Sequence, residues 1–154
     1  MRRILFAFLF ISGGVLAQTH NDIIWSYVDS NVGTKVGDGD CLTLIRKAYD
    51  NFCNCNIVPN AGNGKGYMNF GKEVSKDSVI KGDVVLFISN DTLTKIVTSH
   101  IGVIYGVYNK HIDVAHQNYN VKSKKDSLVE ITDIVEIIEL NPEEKVEVLF
   151  YRPF

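Results

Sequence analysis

Residues 100–108, His-Ile-Gly-Val-Ile-Tyr-Gly-Val-Tyr, and residues 112–118, Ile-Asp-Val-Ala-His-Gln-Asn, are separated by Asn109-Lys110-His111. Both runs are rich in β-branched residues, and a connection this short closes an antiparallel hairpin and excludes a crossover to a parallel neighbour. Three further runs, 83–88, 129–132 and 144–151, have the same strand character. Short links between them predict an antiparallel meander of about five strands. Side chains alternate along a strand, so His100, Gly102, Ile104 and Gly106 are expected on one face, and Ile112, Val114, His116 and Asn118 likewise. Counting back from a hairpin tip near residue 110 sets His100 opposite residues 116–118. His116 or Asn118 is therefore expected beside the His100 ring.

The half of the chain before this sheet reads as helical. Residues 21–31 carry Ile23, Ile24, Tyr27 and Val28 on one side, and from 41 to 52 the residues Cys41, Leu44, Ile45, Ala48 and Phe52 recur at three- and four-residue steps. That spacing predicts an amphipathic helix with a buried stripe, while Arg46, Lys47 and Asp50 face away. Asp38 or Asp40 can cap it, and Gly37 and Gly39 permit a sharp turn just before it. Residues 59–71, with four glycines and three asparagines, read as a loop. Helices followed by strands in 154 residues, without repeats or a linker, indicate one α+β domain.

The first seventeen residues form a basic start, an apolar run and a small-residue end at Val15-Leu16-Ala17, the pattern of a secretory signal peptide. A single domain is then expected over 18–154, exported to a periplasmic or extracellular location. Cleavage before Gln18 removes two of the 16 basic residues and none of the 18 acidic ones, leaving a net charge of about −4. A nucleic-acid partner is a poor fit to that charge. No other stretch is apolar enough for membrane insertion after cleavage. Oligomeric state is left open.

Three cysteines are an odd number for an exported chain, which normally pairs them. Cys53 and Cys55 are either a tight local disulfide or small buried hydrophobes, and Cys41 is the candidate free thiol. Their spacing does not fit a zinc site. Asp38, Asp40 and Asp83 lack the ordered ligand pattern of a calcium loop. Neither metal nor cofactor is expected.

A thiol at a helix start and an imidazole at a strand end can form a nucleophilic pair. The helix N-terminus and a nearby imidazolium both lower a thiol pKa, so Cys41 is expected as a thiolate near neutral pH, although the charges of Asp38 and Asp40 oppose this. His100 would act as general base and then as acid for the leaving amine. Asn118 or His116 would fix its tautomer, and the Cys41 backbone N–H would help bind the oxyanion. His20 and His111 read as solvated. So does the Lys122, Lys124, Lys125 cluster. Trp25 and Tyr27 read first as packing residues.

Gly-Asp-Gly-Asp-Cys-Leu-Thr-Leu-Ile (37–45), Lys-Gly-Asp-Val-Val-Leu-Phe (81–87), Ser-His-Ile-Gly-Val-Ile-Tyr-Gly-Val (99–107) and Val-Ala-His-Gln-Asn (114–118) resemble the blocks of the NlpC/P60 superfamily of papain-like cysteine peptidases, and most of all its CHAP branch. The resemblance spans roughly residues 33–120. It implies a papain-like core and cleavage of a peptide or amide bond in peptidoglycan, as a stem-peptide endopeptidase or an N-acetylmuramoyl-L-alanine amidase. By it, Cys41 is nucleophile, His100 base and Asn118 orienter. His116 stands where CHAP domains often carry Glu, and Asp40 rather than Gln precedes the cysteine. A silent wall-binding or adhesion module of the same fold, and an exported toxin or effector, are the alternative readings.

Overall fold

The structure, a computed structural model, describes residues 19–53, 70–90, 97–109, 111–118, 127–139 and 145–153. The expected leader, Cys55, loop residues 59–69 and the basic cluster at 122–125 lie outside the described residues, as does the Cys53 side chain. Among the described residues three helices, α1 (His20–Asp29), α2 (Cys41–Cys53) and α3 (Ile134–Glu139), accompany six strands. The strands are β1 (Lys72–Val74), β2 (Val84–Asn90), β3 (Val97–Tyr108), β4 (His111–His116), β5 (Glu130–Asp133) and β6 (Lys145–Arg152). All pair antiparallel in the order β1-β6-β2-β3-β4-β5. The α+β class expected from the sequence is present.

The simple meander is not. β2 through β5 follow one another across the sheet, but β6 returns to lie between β1 and β2. The cause is legible in β2, where Val84, Val85, Leu86, Phe87 and Ile88 are all buried. Consecutive side chains of a strand point to opposite faces, so an unbroken apolar run needs cover on both faces and a neighbour at each edge. β3 provides one neighbour and β6 the other. α3, where neither helix nor strand was expected, buries Ile134 and Ile137 against β2, β4 and β6.

Ile24 and Val28 of α1 and Leu44, Ile45, Ala48 and Tyr49 of α2 pack on the sheet face formed by Val84, Leu86, Ile88, Ile101, Val103 and Ala115. Each fully buried Leu or Ile contributes about 1.5–3 kcal/mol, so this stripe fixes how α2 lies on the sheet. The opposite face, with Val85, Phe87, Ile104, Ile112, Val114 and Phe150, packs against α3. Trp25 joins α1 to β3: its Nε1–H donates to the Tyr105 carbonyl at 2.9 Å, and its ring sits under the Lys81 ammonium at 4.3 Å. It is a packing residue here, as is Ile24 beside it.

Asp83 is fully buried at the head of β2. Its carboxylate accepts from Arg152 Nε at 3.1 Å and Nη2 at 3.0 Å, from Asn21 Nδ2 at 2.8 Å and from the Ile80 N–H at 2.9 Å. One charged group thereby joins α1, β2 and the end of β6, with every strong acceptor direction used.

Candidate active site

Cys41 opens α2. Asp40 caps the helix, its Oδ1 accepting from the Leu42 N–H at 3.0 Å, and Asp38 supports the turn by accepting from the Asp40 N–H at 3.1 Å. Of the two proposed caps, Asp40 makes the contact to the helix. Gly37 adopts φ 59, and a Cβ there would collide with Thr43 Cγ2, so the loop folds tightly over the first helical turn.

The hairpin behaves as the spacing predicts. Tyr108 pairs with His111 and Gly102 with His116, so the chain turns back between Tyr108 and His111. A bulge between Ile104 and Gly106 pairs Gly106 with Asp113, so Gly106 leaves the face it was expected to share with His100. β3 also begins earlier than expected, at Val97, because residues 97–100 continue the ladder with β2. On its other flank β4 stops at His116, leaving β3 without that neighbour from residue 101 backward.

At that opening the two imidazoles meet. The His100 and His116 rings lie edge to face with centroids 5.0 Å apart, and Phe87 stacks on the other side of His100 at 6.1 Å. Gly102 makes room for this: a Cβ there would strike Val114 Cγ1 and crowd His116 Cβ at 3.3 Å. Asn118 falls beyond the strand and turns into the left-handed region at φ 63, so it does not continue the face of Ile112, Val114 and His116. Between the two candidate third residues, His116 is the one placed against the His100 ring.

The thiol reaches the same strand end from the side of α2. Its sulfur accepts from the Ile101 backbone N–H, one residue from His100, and lies 3.8 Å from Asp40 Oδ1. Cys41 is a free cysteine and partly buried. Burial, followed by the Asp40 charge, pushes the thiol up to about 11. Burial likewise lowers His100 to about 4, against the pull of the Asp40 carboxylate, and lowers His116 to about 3 with His100 beside it. The expected thiolate is therefore replaced by a neutral thiol and neutral imidazoles. Desolvation of a charge outweighs the favourable helix end here.

Two neighbours were not anticipated from the sequence. Glu130 is the cross-strand partner of His116, with Oε1 4.0 Å from Nδ1, and partial burial raises its carboxyl. Nothing in the sequence sets the β4–β5 register that brings it there. Gln117 is fully buried and contacts the loop before Cys41. The alternation already in view carried a signal for it, since the residue after an inward His116 must point the other way.

The remaining candidates lie elsewhere. His20 and His111 are exposed, and His111 Nδ1 is 3.1 Å from Asp133 Oδ2. Asp83 is held by Arg152, apart from the Asp38–Asp40 turn. No group of three His, Cys, Asp or Glu able to hold a metal occurs among the described residues, and none of their helices is long and apolar enough to cross a membrane. The chain matches no protein-family model, and no curated protein matches it.

Proposed function

We propose that this chain is an exported cysteine hydrolase with a papain-like core of the NlpC/P60 type, nearest the CHAP branch, that cleaves a peptide or amide bond in bacterial peptidoglycan. The observation that carries the reading is the convergence at one strand end: the Cys41 sulfur on the Ile101 N–H, the adjacent His100 and the His116 ring against it. In this mechanism Cys41 Sγ attacks the scissile carbonyl while its proton passes to neutral His100. The tetrahedral oxyanion takes a hydrogen bond from the Cys41 backbone N–H, the C–N bond breaks, and the amine leaves with the proton from His100. Water then hydrolyses the thioester with His100 again as base. His116 orients His100, with Asn118 the second candidate for that role.

A neutral imidazole suits a general base, and a thiol near 11 suits attack concerted with proton transfer rather than a standing ion pair. Cys41→Ala is expected to abolish release of soluble fragments from purified peptidoglycan while circular dichroism stays unchanged. Mass spectrometry of the parent's fragments identifies the bond. Equal digestion by the variant would overturn the mechanism.

The high thiol value also favours a second reading, a wall-binding module that keeps the groove and leaves the thiol unused. Binding of the parent to peptidoglycan without any fragment release would select it.

A further inference from the structure

Gln117 has no part in the chemistry above, yet its side chain is fully buried and makes three hydrogen bonds to one short segment. Oε1 accepts from the Val36 N–H at 3.2 Å. Nε2 donates to the Val36 carbonyl at 3.0 Å and the Asp40 carbonyl at 2.7 Å. The amide thus bonds Val36 as a strand neighbour would, and holds the residue just before Cys41. Swapping its oxygen and nitrogen would set donor against donor and acceptor against two acceptors, so this arrangement is specific.

Val36 is a buried residue and Gly37 is crowded by Thr43, so the loop has little freedom of its own once Gln117 holds its two ends. The Asp40 carbonyl in turn accepts from the Thr43 and Leu44 N–H groups at 3.0 and 3.3 Å, the first bonds of α2. His116 and Gln117 are consecutive, and the extended chain sends their side chains to opposite sides. One strand end therefore places a ring against His100 and an amide against the loop carrying the thiol.

We propose that Gln117 is a positioning residue that fixes the Cys41 sulfur on the Ile101 amide and sets its distance from the histidine pair. This rests on the proposed function only in taking Cys41 as nucleophile. Removing the amide leaves the buried Val36 N–H without its acceptor and takes one hydrogen bond from each of the Val36 and Asp40 carbonyls, which keep only Gly39 and the first helical N–H groups. The loop then lifts, the sulfur leaves its desolvated seat, and it becomes more reactive toward small electrophiles as it becomes worse placed for catalysis. A residue that contributes to stability alone would not produce those opposite changes in folded protein.

The test is alkylation of Cys41 by iodoacetamide, followed by peptide mass spectrometry to separate it from Cys53 and Cys55, alongside fragment release from purified peptidoglycan. In folded Gln117→Leu, Cys41 alkylation at mildly alkaline pH is expected to rise roughly tenfold or more and fragment release to fall by a similar factor, the scale of losing several buried hydrogen bonds. Alkylation within twofold of the parent overturns the proposal. So does an equal acceleration in Arg152→Met, which loosens the fold at a distant point. Gln117→Glu serves if the Leu variant does not fold, since its protonated form keeps the acceptor for Val36 and one donor. Its alkylation rate relative to the parent is expected to fall toward one as pH drops, and a ratio of one at every pH overturns the proposal. If the parent releases no fragments, the hydrolase reading fails while the alkylation result still decides the role of Gln117.

Discussion

Asp83, buried at the head of β2, and Cys41, partly buried where α2 begins beside β3, have surroundings that treat charge in opposite ways. Around Asp83 an arginine, an asparagine amide and a backbone N–H supply donors for an ionised carboxylate. Around Cys41 burial and the Asp40 charge disfavour ionisation, and burial holds the His100 and His116 imidazoles neutral as well. A fully compensated charge has nothing left to exchange and serves as a structural joint. Neutral groups that must become charged in order to react are where proton transfer can be coupled to bond formation.

The largest expected effect tests the structural side of that contrast. Arg152→Met leaves the Asp83 carboxylate buried without its cation, and chemical denaturation should show a loss of roughly 2–4 kcal/mol, toward the lower end because Arg152 keeps 35% of its side chain exposed. Cys41 alkylation in the folded variant should be unchanged. A variant as stable as the parent would show that Asp83 does not depend on its partner.

The neutral character of the thiol is tested by pH. With its value pushed up to about 11, only a small thiolate fraction exists at neutrality, and that fraction grows about tenfold per pH unit. The alkylation rate of the parent should climb steadily from pH 7 to 10. A plateau beginning in the acid range would instead reveal a thiolate–imidazolium pair and overturn the contrast.

The smallest effect concerns Asp40. Asn is as good an N-cap as Asp, so Asp40→Asn should change stability by less than about 0.5 kcal/mol. It removes a charge that raises the thiol, so alkylation at a fixed mildly alkaline pH should quicken severalfold. An unchanged or slower rate would show that burial alone sets the thiol.

Much of this arrangement was visible in the residues. Leu44, Ile45 and Ala48 of the α2 stripe are buried as expected, with Cys41 packed against them, Asp40 caps the helix, and the hairpin turns back between Tyr108 and His111 to bring His116 to His100. These features follow from local periodicity and a short connection. Other features required partners distant in sequence. The unbroken apolar run of β2 implied a central strand, but nothing local said that β6 would lie beside it. Asn118 looked equivalent to His116 until the strand ended between them. The thiolate expected from the helix start was lost because desolvation depends on what covers the sulfur, which the sequence does not state.

The α+β class, the helix that begins at Cys41 and the two histidines on one face of neighbouring strands follow from the residues alone, because each depends on side-chain period and on connections of a few residues. Tertiary structure decided the place of β6, the approach of Glu130 to His116, the grip of Gln117 on the loop before Cys41 and the neutrality of the thiol and both imidazoles. Each of these depends on register or burial between segments far apart in the chain, and those are settled when the whole core closes.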